Sequence, residues 1–426
     1  MTARFVVNGW SVDGDAVTLS YGCGEHTLRE ILTFPFAVQV TPVVERLLDL
    51  LAIVAGVSYA KAFAPATVEF PSLDISPASL EVVRCTYDQG MREFAFENNL
   101  PLSSPFGVSE PARRATGSRA SAVGTERPLV PFGGGRDSCV VASALHHLSP
   151  VLFTVGDNGY ARSIASTLGL EHLAVRREID PDLLRLNDAG APNGHVPVTA
   201  INSLVSVVTA ELIGCTSVVM ANEKSASRPT RIVDGIEVNH QYSKSFEFEK
   251  TLGEAVTDTG SAVTYLSVLR NFADADISRA FARRCTALHG EFMSCNRAMV
   301  KDPARRSNGW CNACAKCRGV YLSLAPFLSP ASMTAIFGAD LLADTAQVDG
   351  FGALLTDDEK PFECVADVSE ARASARALAL DPEWTDHVVV RSLARVAGDR
   401  VDDRADDTEA PVLFGAELSS FLQETR

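Results

Sequence analysis

The sequence predicts an α/β protein built on a parallel sheet, with an N-terminal α+β domain and a metal-stabilised, mostly helical C-terminal region. Short apolar runs alternate with helical patterns from residue 128 onward, which is typical of parallel sheets covered by helices. A glycine-rich loop follows the first of these runs. Four cysteines cluster between residues 295 and 317, which indicates a metal site after the sheet.

Length, charge and composition limit the classes of protein to consider. The chain has 426 residues, 46% of them hydrophobic, so we expect a globular protein with more than one domain. A net charge of −15 argues against nucleic acid as a partner. No apolar run reaches the roughly 18–20 residues that span a bilayer, and the first residues do not read as a signal peptide. We therefore expect no membrane insertion and a cytoplasmic location.

Residues 1–102 are predicted to form the N-terminal domain. Residues 5–7 and 17–21 are β-rich and flank Asp13-Gly14, which predicts a hairpin. Residues 42–56 have helical spacing and a Thr-Pro start. Residues 103–127 are rich in Ser, Ala, Gly, Pro and Arg and are interpreted as a linker or mobile loop.

Residues 128–284 are predicted to form the sheet domain, followed by a metal-binding segment at 285–330 and a helical region at 331–426. The C-terminal region contains an alanine-rich helix at 369–380 and an acidic, solvated segment at 401–407. Within the sheet domain we expect strands at 129–132, 151–155, 173–175 and 217–220, and helices running to 147, at 159–168 and at 199–213.

The glycine loop Gly133-Gly134-Gly135 precedes a predicted helix and predicts a phosphate site. Glycines let backbone N–H groups approach a ligand without Cβ clashes, and the helix adds further N–H groups and a positive dipole end. Ser138 adds a hydroxyl donor, and Asp137 could cap the helix or order magnesium.

Three alternative interpretations of the glycine loop have to be weighed. A Walker A loop needs a lysine that is missing here. A dinucleotide fingerprint needs a glycine where Ser138 stands, although Asp157 could still serve as a ribose-binding acid. A glycine-rich turn without a ligand is the third.

The spacing of Cys295, Cys311, Cys314 and Cys317 predicts a closed, structural metal site. Cys285 is the nearest substitute for Cys295 as the fourth ligand. Zinc is our first choice, and an iron–sulfur cluster remains open because spacing alone does not separate the two.

The polar stretch 222–245 follows the last strand of the run and is too long for an ordinary βα loop. Its side chains would face the ligand crevice at the carboxyl edge of a parallel sheet. A solvated loop running into an amphipathic helix at Ser245 is the alternative, about equally weighted for Glu247 and Glu249.

The segment from Val130 to Ser138 resembles the Ser-Gly-Gly-x-Asp-Ser loop of the ATP-pyrophosphatase (PP-loop) superfamily, with Gly133 in place of the first serine. Beyond the loop, the chain closely resembles the UDP-N-acetylmuramoyl-L-alanyl-L-glutamate epimerase (MurL) family. The motifs that carry this resemblance are GGGRDS, NEKSAS, VNHQYSKSFEFE, WCNACAKC, the segment 360–365 (KPFECV) and Phe34-Pro35-Phe36.

The resemblance implies that the terminal L-glutamate of UDP-MurNAc-L-Ala-L-Glu is converted to D-glutamate, while ATP is split to AMP and diphosphate with Mg²⁺ as cofactor. It implies nucleotide-binding roles for Gly133, Gly134, Gly135, Arg136, Ser138, Asp157 and Lys224. It implies acid or base roles for His240, Lys244 and Tyr242, with Asp137 also in the catalytic set. Substrate-binding roles fall to Arg228, Glu223 and Asn239.

Rival functions remain open from the sequence. A nucleobase- or tRNA-modifying enzyme of the same superfamily would need a basic face, which the net charge of −15 disfavours. An amide-forming enzyme with a glutaminase domain would need an N-terminal cysteine, which Met1-Thr2 does not offer. A zinc-stabilised ATP sensor would bind ATP without cleaving it.

Overall fold

The computed structural model describes residues 4–111, 126–300, 304–356, 360–397 and 413–423. The predicted acidic segment at 401–407 and most of the predicted linker lie outside these residues. Among the described residues, no helix combines the length and apolar character needed to cross a bilayer. The strands are β1 (Arg4–Asp13), β2 (Ala16–Cys23), β3 (His26–Thr33), β4 (Thr67–Glu69), β5 (Gly107–Val108), β6 (Leu129–Pro131), β7 (Val151–Val155), β8 (His172–Ile179), β9 (Ser217–Glu223), β10 (Arg231–Val233), β11 (Ile236–Val238) and β12 (Thr264–Leu269).

Helices connect and follow these strands. They are α1 (Pro42–Ala55), α2 (Val57–Ala60), α3 (Pro77–Tyr87), α4 (Arg92–Glu97), α5 (Arg136–Ala144), α6 (Gly159–Leu168), α7 (Pro181–Asp188), α8 (Val198–Ile213), α9 (Phe246–Asp258), α10 (Asp274–Arg284), α11 (Ala315–Leu324), α12 (Pro330–Phe337), α13 (Val348–Gly352), α14 (Val368–Leu380), α15 (Val388–Val396) and α16 (Gly415–Gln423). The predicted hairpin, the predicted helices in both halves and the helical C-terminal region are confirmed for the described residues.

Ten strands form one mixed sheet in the order β12-β9-β6-β7-β8-β3-β2-β1-β4-β5. The five strands from β12 to β8 are parallel, as predicted for this part of the chain. The N-terminal strands extend the same sheet, because β3 pairs antiparallel with β8. The sheet as a whole is therefore mixed. The domain boundary predicted at residue 102 stays a prediction, since shared hydrogen bonding does not define a folding unit.

A buried ion pair reinforces the junction between β3 and β8. Glu30 on β3 is fully buried, and Arg177 on β8 donates to it at 2.7 and 3.0 Å. Arg177 also donates to the Ser58 hydroxyl at 3.0 Å. A carboxylate without access to water needs such a partner, because an unpaired buried charge is strongly destabilising.

The parallel strands pack helices on both faces. Consecutive residues of a strand point to opposite faces of the sheet. Leu129 belongs to one apolar core and Val130 to the other, and Val218 and Val219 divide in the same way. The first core includes residues of α1, α3, α8 and α9, and the second includes residues of α5, α10, α11 and α14. The sheet thus separates two hydrophobic cores.

Candidate functional site

The glycine loop lies at the point where the order of the parallel strands reverses. From β6 the chain adds β7 and then β8 on one side, and it returns through α8 to place β9 on the other side of β6. In open parallel sheets, ligands bind outside the carboxyl ends of the strands at such a switch point. The loop follows β6, and Glu223 ends β9.

Two of the three glycines, Gly134 and Gly135, are fitted closely to their neighbours. Gly134 has φ of +75°, a left-handed conformation that costs other residues about 1–2 kcal/mol. Its carbonyl accepts a hydrogen bond of 2.8 Å from Met293 N. A Cβ on Gly135 would lie 2.9 Å from the Ser294 hydroxyl oxygen. The segment before Cys295 therefore lies directly on the loop.

A cavity of about 790 Å³ opens beside the loop. This volume lies within the usual range of ligand pockets, about 300–1,000 Å³. Its wall combines atoms of the glycine loop with cationic side chains from other elements, and such a wall suits a polyanionic ligand. Its lining includes Gly133, Gly135, Asp137, Ser138, Asp157, Asn158, Arg176, Ser294, Arg306 and Lys316.

The Arg136 side chain turns away from bulk solvent into a group of carboxylates. Its guanidinium donates to Asp137 at 2.7 Å, to Asp274 at 2.6 Å and to the Ser278 hydroxyl at 2.6 Å. Burial opposes its charge, but the neighbouring carboxylates raise the pKa of Arg136 well above its usual range. Arg136 therefore balances buried negative charge, and its nucleotide-binding role stays a prediction.

Glu223 has one carboxylate oxygen without a partner. Its Oε1 accepts from the Ser225 hydroxyl at 3.0 Å, whereas Oε2 is buried, lies 3.9 Å from Arg136 Nη2 and has no hydrogen bond among the described residues. Burial, with repulsion from Asp137 and Asp274, raises the pKa of Glu223 to about 7. A buried oxygen without a partner at the end of β9 favours a proton or a cation as its partner.

A second polar group combines the polar stretch with the C-terminal region. Lys244 Nζ donates to Cys364 Sγ at 3.2 Å, and His240 Nδ1 lies 2.6 Å from Glu93 Oε2. The His240 ring also lies 4.3 Å from the ring of His195, centroid to centroid. The sequence placed His240 and Lys244 at the site, and the structure brings them together around Cys364.

The pKa values of this group are strongly shifted. Burial alone would raise the pKa of Cys364, but Lys244, His240 and Lys316 lower it to about 5. Burial alone would lower the pKa of His240, but hydrogen bonds with Cys364 and Glu93 raise it to about 9. Burial and the charge of His240 lower the pKa of His195 to about 3. At neutral pH the group thus holds a thiolate between cations.

Arg270 fixes the main chain that carries this group. Its guanidinium is fully buried and donates to Glu249 Oε2 at 2.8 and 3.0 Å. It also donates to the carbonyl oxygen of Glu223 at 3.0 Å and to that of Lys244. Glu249 therefore has a structural role and is buried rather than solvated, whereas Ser245 caps α9, the helix start that the alternative interpretation expected.

Three other predicted residues make internal contacts. Arg228 is paired with Asp367, the N-terminal cap of α14. Asn239 donates to the Ala226 carbonyl at 3.0 Å and accepts from Gln241 N at 2.8 Å. Tyr242 is buried beside Cys85, and burial raises its pKa. Their substrate-binding and acid roles stay predictions, and each of these side chains is committed to local structure.

The two remaining predicted nucleotide-binding residues differ in position. Asp157 follows β7, lines the cavity and is mostly exposed, with Arg162 Nη2 at 2.8 Å from its carboxylate. Lys224 begins the short turn Lys224–Ser227 and is not among the residues that line the cavity. Lys316 and Arg176 occupy the wall instead.

The four predicted cysteines converge. The sulfur atoms of Cys295, Cys311, Cys314 and Cys317 all lie within 4.8 Å of one another. The Cys314–Cys317 and Cys311–Cys317 sulfur separations are 3.5 and 3.8 Å. Tetrahedral zinc with Zn–S bonds of about 2.3 Å requires sulfur separations of about 3.8 Å. Cys285 lies elsewhere, against the Ser143 hydroxyl at 3.5 Å. The cluster could hold a metal ion.

Sequence reasoning missed the partners that come from distant parts of the chain. Cys364 was noted only within the KPFECV motif, with no role of its own. Glu93 and His195 belong to segments without any motif, although each reaches His240. The sequence did contain one signal for a role of Cys364. Charged residues accompany it in the segment 360–365 (KPFECV), which is unusual for a structural cysteine.

Comparisons with known proteins identify the family of this chain. The MurL N-terminal domain family matches residues 1–268, and the MurL C-terminal domain family matches residues 291–408. A Micromonospora protein named UDP-N-acetyl-alpha-D-muramoyl-L-alanyl-L-glutamate epimerase is 40% identical over 380 residues, covering 87% of this chain and 84% of its own length. A Xanthomonas oryzae protein of the same name is 38% identical over 357 residues, covering 83% and 78%. No solved structure matches the chain. The matched domains span both halves of the site, and the chain belongs to the MurL family.

Proposed function

We propose that this protein converts the terminal L-glutamate of UDP-MurNAc-L-Ala-L-Glu to D-glutamate, with ATP cleaved to AMP and diphosphate. The observation that carries this proposal is the glycine loop at the strand switch point, beside a cavity of about 790 Å³. The names of the relatives supply the substrate. Because ATP is required, we place the reaction in the cytoplasm, as a step of peptidoglycan precursor synthesis.

The proposed ATP site follows from the loop. Backbone N–H groups of Gly133, Gly134 and Gly135 and the hydroxyl of Ser138 would hold the diphosphate, at the start of α5. Lys316 and Arg176 add positive charge to the same wall. We further infer that the parallel half is a PP-loop domain, since its strand order is that of a nucleotide-binding sheet.

Two metals fit the donor groups. Asp137 and the unsatisfied Oε2 of Glu223 offer oxygen ligands beside the loop, the kind that Mg²⁺ prefers. Mg²⁺ would neutralise phosphate charge there. The four-cysteine cluster fits a structural Zn²⁺ because its sulfur separations match a tetrahedral site. It would fix the segment that hydrogen-bonds to Gly134.

The chemistry explains why ATP is needed. Removing the α-proton next to a carboxylate adds a second negative charge to the same group. Adenylation of the carboxylate removes the first charge, and the carbonyl can then accept the electron pair of the C–H bond. Return of a proton to the other face inverts the centre, and water releases AMP. Lys316, one of the cationic residues around Cys364, also lines the cavity beside the loop that would hold the leaving diphosphate.

The test is incubation with ATP, Mg²⁺ and UDP-MurNAc-L-Ala-L-Glu, followed by diphosphate release and chiral analysis of the glutamate. Ser138→Ala should reduce diphosphate release about 10- to 100-fold, because a hydrogen bond to a charged group contributes about 1.5–3 kcal/mol. Asp137→Ala should reduce it further. Asp386→Ala is the control, since its side chain is 95% exposed in the C-terminal region. Diphosphate release without D-glutamate, or unchanged turnover in both loop variants, would contradict the proposal.

A further inference from the structure

Cys364 is the centre of a charged group that spans three parts of the chain. Lys244 Nζ donates to its sulfur at 3.2 Å, and the neighbouring His240 helps to lower the pKa of the Cys364 thiol. Lys316 of α11 donates to its main-chain oxygen. Glu93 and His195 stand behind His240, and Glu363 is the adjacent carboxylate. We call Cys364, Lys244, His240 and Lys316 the thiolate cluster.

The thiolate cluster adjoins the glycine loop. Lys316 both lines the cavity beside the loop and contacts Cys364. The charge of Asp137, within the loop, helps to raise the pKa of Lys244 together with Cys364. The cluster therefore lies close to the loop, on the side where the acyl group of the adenylate and its α-carbon would be held.

Cys364 differs from the other cysteines in exposure. Six cysteines outside the four-cysteine cluster are present, and Cys364 is the one that is not buried. Its surroundings also differ from those of a structural cysteine, which is packed among apolar groups. Thiolates that do chemistry lie in electropositive, partly exposed environments of this kind.

We propose that Cys364 carries the α-proton of the glutamate during epimerisation, with Lys244 and His240 as positioning residues that keep the sulfur charged. This inference rests on the proposed function. The thiolate takes the α-proton of the acyl-adenylate, and the electron pair of the broken C–H bond moves into the enolate. A second acid in exchange with solvent gives a proton to the opposite face. The thiol then returns its own proton to solvent, so the cysteine is unchanged overall.

The decisive measurement separates proton transfer from adenylation. Cys364→Ser keeps the size of the side chain but replaces the acidic thiol with a weakly acidic hydroxyl. We expect deuterium incorporation at the glutamate α-carbon to fall about 10²- to 10⁴-fold, the usual contribution of an acid or base. ATP–diphosphate exchange with UDP-MurNAc-L-Ala-L-Glu should persist. Cys215→Ala, a buried cysteine outside the site, should epimerise like the unmodified chain.

The outcomes distinguish the two proposals. Deuterium incorporation by Cys364→Ser at the original rate overturns the role of Cys364 and leaves the proposed function intact. Loss of ATP–diphosphate exchange in that variant also overturns it, since Cys364 would then act before proton transfer. Absence of diphosphate release from the unmodified chain overturns the proposed function itself.

A second measurement does not depend on activity. Alkylation of Cys364 by iodoacetamide, followed by mass spectrometry across pH, should be half-maximal near pH 5, against about 8.5 for an ordinary thiol. Lys244→Met should move this midpoint upward, because it removes the charge that holds the thiolate. A midpoint near 8.5 in the unmodified chain would contradict the charged thiolate.

Discussion

The buried guanidinium of Arg270 should stabilise both the fold and the site. Arg270 is fully buried and donates to Glu249, which is itself only 4% exposed. It also holds the carbonyl oxygens of Glu223 and Lys244. Arg270→Met would leave the Glu249 carboxylate buried without its cation, at a cost of about 3–5 kcal/mol. At an unfolding entropy of about 2.1 cal/mol/K per residue, this corresponds to a Tm lower by about 3–6 °C for a chain of 426 residues.

Urea unfolding followed by circular dichroism would measure the loss. The double variant Arg270→Met with Glu249→Gln removes the unpaired charge and keeps an acceptor for Ser267 N, which donates to Glu249 Oε1 at 2.9 Å. It should therefore lose less than the single variant. Arg185→Met is the matched control, because Arg185 pairs with Asp182 on an exposed helix surface, where such pairs contribute about 0–1 kcal/mol. A loss of less than about 1 kcal/mol in Arg270→Met would refute the reasoning.

Three further predictions concern the core, the loop and the metal. Burial raises the pKa of Asp49 to about 6, despite a hydrogen bond of 2.7 Å from Trp10. Because the folded chain binds this proton more tightly than the unfolded chain, Asp49 stabilises the fold fully below its ordinary pKa of 3.8. This stabilisation is lost as the pH rises through 6. Asp49→Asn should therefore gain stability relative to the unmodified chain between pH 4 and 7, by about 1–3 kcal/mol in urea unfolding, and equal curves at both pH values would contradict this. Gly134→Ala should lower the free energy of unfolding by about 1–2 kcal/mol, because Gly134 has a positive φ. Gly133→Ala should change it far less, since a Cβ on Gly133 would meet nothing within 4 Å. Equal losses in the two variants would exclude backbone strain at Gly134 as the cause. Cys295→Ser should reduce bound zinc, measured by mass spectrometry, and lower Tm, whereas full zinc content would exclude Cys295 as a ligand.

Local signals in the sequence predicted much of the fold and part of the site. The glycine loop and the four cysteines could be recognised in the sequence because each motif consists of residues that lie close together in the chain. The helix predicted at 159–168 coincides with α6, since its spacing is local as well. These features need no knowledge of how distant segments meet.

The features that escaped prediction all depend on long-range contacts. Arg136 looked available for phosphate, but Asp274, far along the chain, occupies its guanidinium. Arg228 looked available for a substrate carboxylate, but it is paired with Asp367. Cys364 lies 120 positions from Lys244 along the chain. No periodicity or spacing rule encodes such pairs.

The β3–β8 junction also bears on how this protein could be divided or evolve. Without β3, strand β8 would be the outer edge of the five parallel strands, with its main-chain donors and acceptors open to other molecules. The buried carboxylate of Glu30 would leave with β3, and Arg177 would lose its counter-charge. The N-terminal hairpins therefore protect the five parallel strands from edge-to-edge association. A shortened chain beginning near β6 would keep the glycine loop but expose the edge of β8, so we expect it to associate through that edge.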